Sequence, residues 1–305
     1  MKFCQIFSLN ILVLNFLCSG ALANNPQANA ITGDISAGLE QDSNLTVVEL
    51  DKSSHQSDLA VLLGIKVDGI WQANEKCKLS GSYSLFTKTY QHQSEYDLML
   101  NQFAGDASYD AKLLTVGASY HYADANLDKN DFLNLQQNSI YIAKLINSRI
   151  YLRGATNWQD KQFAGRRERN AKNLSFAGDV FVFFNEGKTF AALGLTNENE
   201  NATLHELDYK GNTMKAKLSH QYVGWNKQQK LQFGWRYVER DYTGINPDIE
   251  RERYDSARIT ELEWEVKFTN RIAMTTNVEY SQYDSNLPSA KYSETRTSAT
   301  LKARF

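Results

Sequence analysis

The sequence predicts an all-β protein, a single antiparallel transmembrane β-barrel of about 14 strands, and three observations predict it. Apolar and polar residues alternate with period two in one segment after another, the pattern of strands with two different faces. The connections between those segments are by turns short and long, as in barrels with short periplasmic turns and long extracellular loops. The chain closes such a segment on an aromatic residue, Phe305.

Composition is compatible with this class. The 305 residues are 42% hydrophobic with a formal net charge of −2. Their mean hydropathy is −0.50, and no internal apolar run reaches the length of a membrane helix. A barrel strand alternates lipid-facing and lumen-facing side chains, so its average hydropathy stays low while one face is apolar. Three prolines, 17 glycines and 12% aromatics suit strands and turns better than helices.

The N-terminus reads as a signal peptide, residues 1–23, with the barrel expected over 24–305. Lys2 supplies the positive charge, Phe3 to Leu17 is largely apolar, and Ala21-Leu22-Ala23 is a small-x-small cleavage site. Leu17 stands before Cys18, where a lipoprotein signal wants a small residue. Cleavage removes one Lys and no acid, leaving 32 basic and 35 acidic residues, or −3. It also removes Cys4 and Cys18, so Cys77 stays alone and no disulfide framework or cysteine metal site is expected. The charge balance gives no sign of a nucleic-acid partner, and no cofactor is implied.

The first strand sets Ile31, Ile35, Ala37 and Leu39 against Thr32, Asp34, Ser36 and Glu40. Leu59, Val61, Leu63, Ile65 and Val67 make the second, and Leu79, Tyr83 and Leu85 oppose Ser80, Ser82 and Ser84 in the third. Tyr96–Ser108 is a less regular fourth. Val116, Ala118, Tyr120 and Tyr122 oppose Thr115, Ser119 and His121 in the fifth. Leu135–Ile146 is the sixth, with its facing left open by the pattern and room for a bulge. Ile150, Leu152 and Trp158 mark the seventh. Phe176, Val180, Val182 and Phe184 oppose Asp179 in the eighth, and Thr189–Thr196 is a short ninth. Met214, Ala216 and Leu218 alternate with Lys215, Lys217 and Ser219; Leu231, Phe233, Trp235 and Tyr237 alternate with Gln232 and Arg236. Leu262, Trp264, Val266 and Phe268 oppose Glu261, Glu263, Glu265 and Lys267. Ile272, Met274, Val278 and Tyr280 then oppose Thr275, Asn277 and Glu279. Ala299, Leu301, Ala303 and Phe305 oppose Ser298, Thr300, Lys302 and Arg304 in the fourteenth.

Short connections are expected at Gln72–Lys76, Ser108–Ala111, Asn147–Ser148, Asn185–Lys188, Gly224–Gln229 and Thr269–Asn270. Long ones are expected at Gln41–Ser57, Lys88–Glu95, Asp124–Asn134, Gln159–Lys172, Asn197–Glu206, Asp241–Arg253 and Asp284–Lys291. A soluble sandwich has no cause to alternate loop length so regularly. Aromatics gather at strand ends, with Trp71, Tyr109, Phe184, Phe190, Tyr222 and Trp225 toward the turns. Tyr120, Tyr122, Trp158, Tyr237 and Tyr280 lie toward the loops. Such girdles place amphipathic rings at headgroup level. The terminal Phe305 resembles the signal read by outer-membrane assembly machinery, although Thr297 stands where a further aromatic is often found. These features place the chain in a Gram-negative outer membrane with both termini periplasmic, in contact with lipid and lipopolysaccharide.

Fourteen strands about 4.8 Å apart and tilted about 40° close at a backbone radius of roughly 14 Å, enough for a narrow aqueous path. Only Asn24–Ala30 precede the first strand, so no plug domain is expected there. The inward charges are the candidate functional residues. Pairing across the short turns puts Lys217 near Arg236 and Glu261 near Glu279. Lys215, Lys217 and Arg236 would thus form a basic column beside the acids Glu261, Glu263, Glu265 and Glu279, with Arg296, Lys302 and Arg304 on the acids' far side. Such a set either stiffens the wall as ion pairs or lays a transverse field over the lumen.

Lys161, Arg166, Arg167, Arg169 and Lys172 make one loop basic, and Glu250–Arg253 is a mixed run; both read first as solvated surface and second as contacts to lipopolysaccharide phosphate. Asp-Ser-Asn-Leu occurs at Asp42–Leu45 and Asp284–Leu287, where the side chains favour turns ahead of calcium binding. Ser119 and His121 share the inner face of one strand, but alternate residues sit about 7 Å apart, too far for a nucleophile and its base. The chain therefore reads as non-enzymatic.

Gly33-Asp34-Ile35, Asp42-Ser43-Asn44 and Ser57-Asp58-Leu59 resemble the opening of the barrel domain in surface lipoprotein assembly modifiers. So do Tyr237–Tyr242, Arg253-Tyr254-Asp255 and Tyr283–Asn286 leading to the terminal Phe. That resemblance implies a barrel that helps lipoproteins reach the cell surface, with an exported lipoprotein as partner. The helical-repeat domain that precedes the barrel in that family has no counterpart in the sequence, and no functional residue is carried over. The expected functions are a porin-like passive channel for small polar or charged solutes, a lipoprotein-export barrel, or a closed structural or adhesive barrel.

Overall fold

The computed structural model describes residues 29–305; the expected signal peptide lies outside the described residues. Fourteen antiparallel strands form a closed barrel. They are β1 (Ala30–Asp42), β4 (Asp58–Gln72), β5 (Cys77–Tyr90), β6 (Leu98–Asp110), β7 (Thr115–Leu127), β8 (Asn130–Ile146) and β9 (Ile150–Phe163). The second half comprises β10 (Ala171–Phe184), β11 (Thr189–Ala202), β12 (Tyr209–Gly224), β13 (Lys227–Asn246), β14 (Arg251–Lys267), β15 (Ile272–Ser285) and β16 (Tyr292–Arg304). The two remaining strands, β2 (Thr46–Val47) and β3 (Lys52–Ser53), pair only with each other, inside the connection from β1 to β4.

Each barrel strand pairs with its chain neighbours, and β1 closes on β16 from Asp34 opposite Arg304 to Asp42 opposite Arg296. Closure matters because lipid offers no hydrogen-bond partner to an open edge. The seam is finished by Phe305, whose backbone exchanges two 2.9 Å hydrogen bonds with Gly33. Its ring lies where a side chain at position 33 would be, since a Cβ there would come within 2.5 Å of it.

Alternation resolves into two faces as the sequence predicts. Leu193 and Leu195 of β11 point outward and are 64% and 60% exposed, whereas Asp179 and Arg236 point into the lumen and are 5% and 8% exposed. Phe190 is a correction to the expected outer girdle. It faces inward, 6.3 Å from Phe183, in a small cluster with Phe181 and Ala192.

The strands are longer than the alternation suggests. They run from 13 to 20 residues, beyond the roughly 9–11 that span a bilayer. At the end away from Ala30 and Phe305 their outward residues turn from apolar to polar: Leu193 and Leu195 give way to Asn197 and Asn199, and Ile142 and Ile140 to Asn138 and Gln136. Hydrogen bonding continues through these stretches. Of the segments expected as long loops, Asp124–Asn134, Asn197–Glu206 and Asp241–Arg253 are therefore mostly strand, and the expected short ninth strand continues to Ala202. The connection expected over Asp124–Asn134 is a two-residue turn at Asp128 and Lys129, with φ of 50° and 63°, the left-handed pair that matches strand twist. The bulge falls at Ala125–Asn126, against the start of β8, rather than within Leu135–Ile146.

Candidate functional site

The longest connection, residues 43–57, does not lie over the barrel as a polar loop; it folds into the lumen. Its root is a buried polar knot. Lys88 of β5 donates to Asp42 and, at 2.6 Å, to Glu40, and the Tyr90 hydroxyl also donates to Asp42. Lys88 and Asp42 are fully buried, a placement these charges reach only by pairing. Thr46 then donates to Glu294 at 3.1 Å. Leu45 and Val47 are buried in an apolar cluster with Leu98, Leu100, Ala123, Ala125 and Leu135 from the inner wall of β6, β7 and β8.

A single 3-10 turn, Val48–Leu50, follows, and Asp51 ends it in the left-handed conformation (φ 53°). Arg169, between β9 and β10, donates to the Glu49 carbonyl at 2.7 Å and to the Asp51 carboxylate at 3.0 Å. Arg253 of β14 reaches the same carboxylate at 2.6 Å. β9 and β14 are separated by β10 to β13 around the wall, so Asp51 ties the loop tip to well-separated parts of the rim. Burial pushes the Asp51 carboxyl upward, but the hydrogen bond and charge of Arg253, then those of Arg169, hold it below the usual carboxylate range. The basic loop and the mixed run expected to be solvated surface are thus corrected in part: Lys161 faces the lumen and pairs with Glu200 at 2.5 Å, and Arg169 and Arg253 grip the loop.

Two cavities flank the tip. One of about 130 Å³ lies between Val48–Asp51 and the wall from β8 to β13. The other, about 60 Å³, lies on the β13 to β16 side. Val48, Asp51, Arg236, Val238 and Arg240 line both. Guanidinium groups stand on tyrosine rings nearby, Arg240 at 4.8 Å from the Tyr209 centroid and Arg253 at 4.7 Å from that of Tyr242, a stacking that suits Arg more than Lys.

The residues of the expected charge columns are placed as follows. Lys215, not Lys217, is directly opposite Arg236, and Lys217 faces Gly234. Glu261 faces Glu279 as expected. The acids lie in the fields of Arg236 and Lys217 of the basic column and take direct contacts from outside it as well. Arg296 donates to Glu279; Lys230 approaches Glu263 at 3.2 Å and Glu265 at 3.9 Å; Asn277 donates to Glu261 at 2.5 Å. Lys215 turns the other way, to Asp179 at 3.0 Å. Arg304 pairs with Asp34 at 3.0 Å at the end carrying Ala30 and Phe305, and Lys302, opposite Ser36, is two residues from it. Lys230 escaped the sequence reading because Gly224–Gln229 was expected as turn, whereas β13 starts at Lys227.

The two Asp-Ser-Asn-Leu copies act as turn formers on the same rim. Asn44 Oδ1 accepts from Ser53 and from the His55 backbone, and Asn286 Oδ1 accepts from the Tyr254 backbone. Ser119 and His121 lie in the buried inner wall, and neither Ser119 Oγ nor His121 Nε2 makes a hydrogen bond.

No family model matches the sequence, and no curated protein matches it. Solved structures do. In-vitro folded OmpT, an outer membrane protein of Vibrio cholerae, superposes with a TM-score of 0.53 at 8% identity, over 93% of this chain and 100% of that one. Its loop L8 deletion mutant gives 0.52 at 10% identity, over 92% and 100%. OmpT expressed in the outer membrane gives 0.52 at 8%, over 92% and 99%. The shared feature is the fold: this chain is a closed barrel of the outer-membrane type.

Proposed function

We propose that the protein is a passive channel for small polar or charged solutes, with residues 43–57 as its constriction. One observation carries this reading. The loop tip is suspended in the lumen by ion pairs to the β9–β10 connection and to β14, beside cavities lined by charged and hydrogen-bonding side chains. A loop serving only to seal would gain most from continuing the apolar packing of Leu45 and Val47 across the opening. Both termini then lie on the periplasmic side, and the polar strand extensions face the lipopolysaccharide headgroups. Phe305, on the outward face of the closing strand, is the residue offered to the barrel-assembly machinery. No step in this function calls for catalysis or a cofactor.

Purified protein in planar bilayers should show discrete conductance steps, altered in size or ion preference by Glu263→Gln or Arg236→Gln. A tight seal would sink the channel reading and favour the closed adhesive barrel, or the lipoprotein-export role suggested by the resemblance of Gly33–Ile35 and Tyr237–Tyr242 to surface lipoprotein assembly modifiers.

A further inference from the structure

Around the constriction almost every charge is matched. Lys161 has Glu200, Arg169 and Arg253 share Asp51, and Lys215 has Asp179. Glu198 accepts from Asn173 at 3.0 Å and lies in the field of Arg240. Arg236 lies in the field of Glu279. Glu49 is different. The residue is half-buried, both its carboxylate oxygens are enclosed, and neither is hydrogen-bonded to another residue. It lines the larger cavity, whose opposite wall offers the neutral oxygens of Gln137, Ser175 and Thr196.

Glu49 has no ion pair of its own and lies in the field only of Lys161 and Arg240, which already answer Glu200 and Glu198. An enclosed carboxylate so placed is costly, and nothing in the fold requires an acid at the tip of a turn whose neighbours are Val48 and Leu50. We propose that this cavity is a binding site for a small solute carrying a primary ammonium group, with the Glu49 carboxylate as its counter-ion. The proposal deepens the channel reading by naming the solute class that the constriction recognises. With the enclosed Glu49 carboxylate turned into the cavity, the ammonium would place its three N–H donors between it and the neutral oxygens of the wall, and the charge-assisted contact is strengthened by exclusion of water.

Protonation gives the site a signature. Burial pushes the Glu49 carboxyl up to about 8, while its own backbone N–H, Lys161 and Arg240 pull downward without prevailing and Asp51 adds to the rise. The remaining charged groups at the cavity are Arg169, Glu198, Glu200, Lys215 and Arg236, paired or matched as described. In the empty site at neutral pH Glu49 is therefore mostly protonated, and an arriving ammonium displaces that proton to solvent. An alkylammonium stays charged through this range, so its apparent affinity rises about tenfold per pH unit below about pH 8 and levels above it.

The test is calorimetric titration of the whole purified protein in detergent micelles with n-butylammonium chloride, at pH 6, 7 and 8, against n-butanol and sodium butyrate. Binding of butylammonium alone is expected, with proton release seen as a dependence of heat on buffer. Glu49→Gln should weaken it about thirtyfold or more while keeping the melting temperature. Glu49→Asp should retain weaker binding with the same pH trend. Equal binding of butanol, preference for butyrate, no binding, or unchanged affinity in Glu49→Gln would each overturn the proposal. A conducting pore that binds no butylammonium overturns the site alone; binding by a protein that seals bilayers overturns the channel and leaves the site.

Discussion

Lys88 carries more of the architecture than a single side chain usually does. It neutralises Glu40 and Asp42 where β1 ends and the constriction loop begins, and Tyr90 completes the set. Lys88→Met keeps most of the volume and leaves two buried carboxylates without their shared cation. Breaking a buried ionic group from one side costs about 3–5 kcal/mol, so the variant should unfold at lower urea in lipid vesicles by that margin. A loss under about 1 kcal/mol, within the range of surface pairs, would show that water reaches Asp42. Nothing in the sequence singled out this knot. Lys88 stood at the edge of an expected loop, and Glu40 and Asp42 are ordinary inward residues until their strands are set side by side. By contrast Arg236, Glu261 and Glu279 were legible, because alternation fixes which way a residue points. It does not fix partners on other strands. Lys215 does stand opposite Arg236, and its ammonium is on Asp179.

At the scale of elements, the sequence reports contact with lipid rather than hydrogen bonding. Period-two hydrophobicity lasts only while one face meets acyl chains. β11 therefore read as ending at Thr196, although its ladder with β12 continues through Glu200. The constriction loop was misread for the opposite reason. Residues 41–57 are polar on average, and the average hid Leu45, Val47, Val48 and Leu50, four apolar side chains with no use in an exposed loop. Once the loop is inside, its hold on the wall can be tested. Asp51→Asn preserves shape but removes the charge held by Arg169 at 3.0 Å and Arg253 at 2.6 Å. Hydrogen bonds to charged groups contribute about 1.5–3 kcal/mol each, so the tip should undock more often. Single-channel records should show larger or noisier conductance, with the melting temperature of the barrel little changed because the Leu45 and Val47 anchor remains. Identical current traces would mean that the ion pairs do not set the aperture.

For the whole molecule, the lumen is not uniform around its axis. From β8 to β11, toward the end carrying Ala30 and Phe305, the inner wall presents Tyr141, Phe181, Phe183 and Ala192. From β13 to β16 it presents Glu261, Glu263, Glu265 and Glu279 with Lys230, Arg236 and Arg296. The aromatic wall also holds Arg153, Asp179 and Lys215, but these are paired with one another at 3.7 Å and 3.0 Å. Its field is small beside that of the clustered acids opposite, and cations should favour the acidic side. Among the described contacts Glu263 and Glu265 share Lys230, and Glu261 takes the amide of Asn277 and the field of Lys217 against the like charges of Glu279 and Glu263. The lumen below the constriction should therefore prefer cations, in keeping with an ammonium-binding carboxylate above it. Glu261→Gln combined with Glu265→Gln removes two of these charges while leaving the Arg296–Glu279 pair in place. In a potassium chloride gradient the reversal potential should move toward that of chloride. Stability should change little, since relieving the like charge opposite Glu279 offsets the loss of the Lys230 contact. A shift in the cation direction, or none at all, would mean that the path of the ions avoids this wall and follows the aromatic side instead.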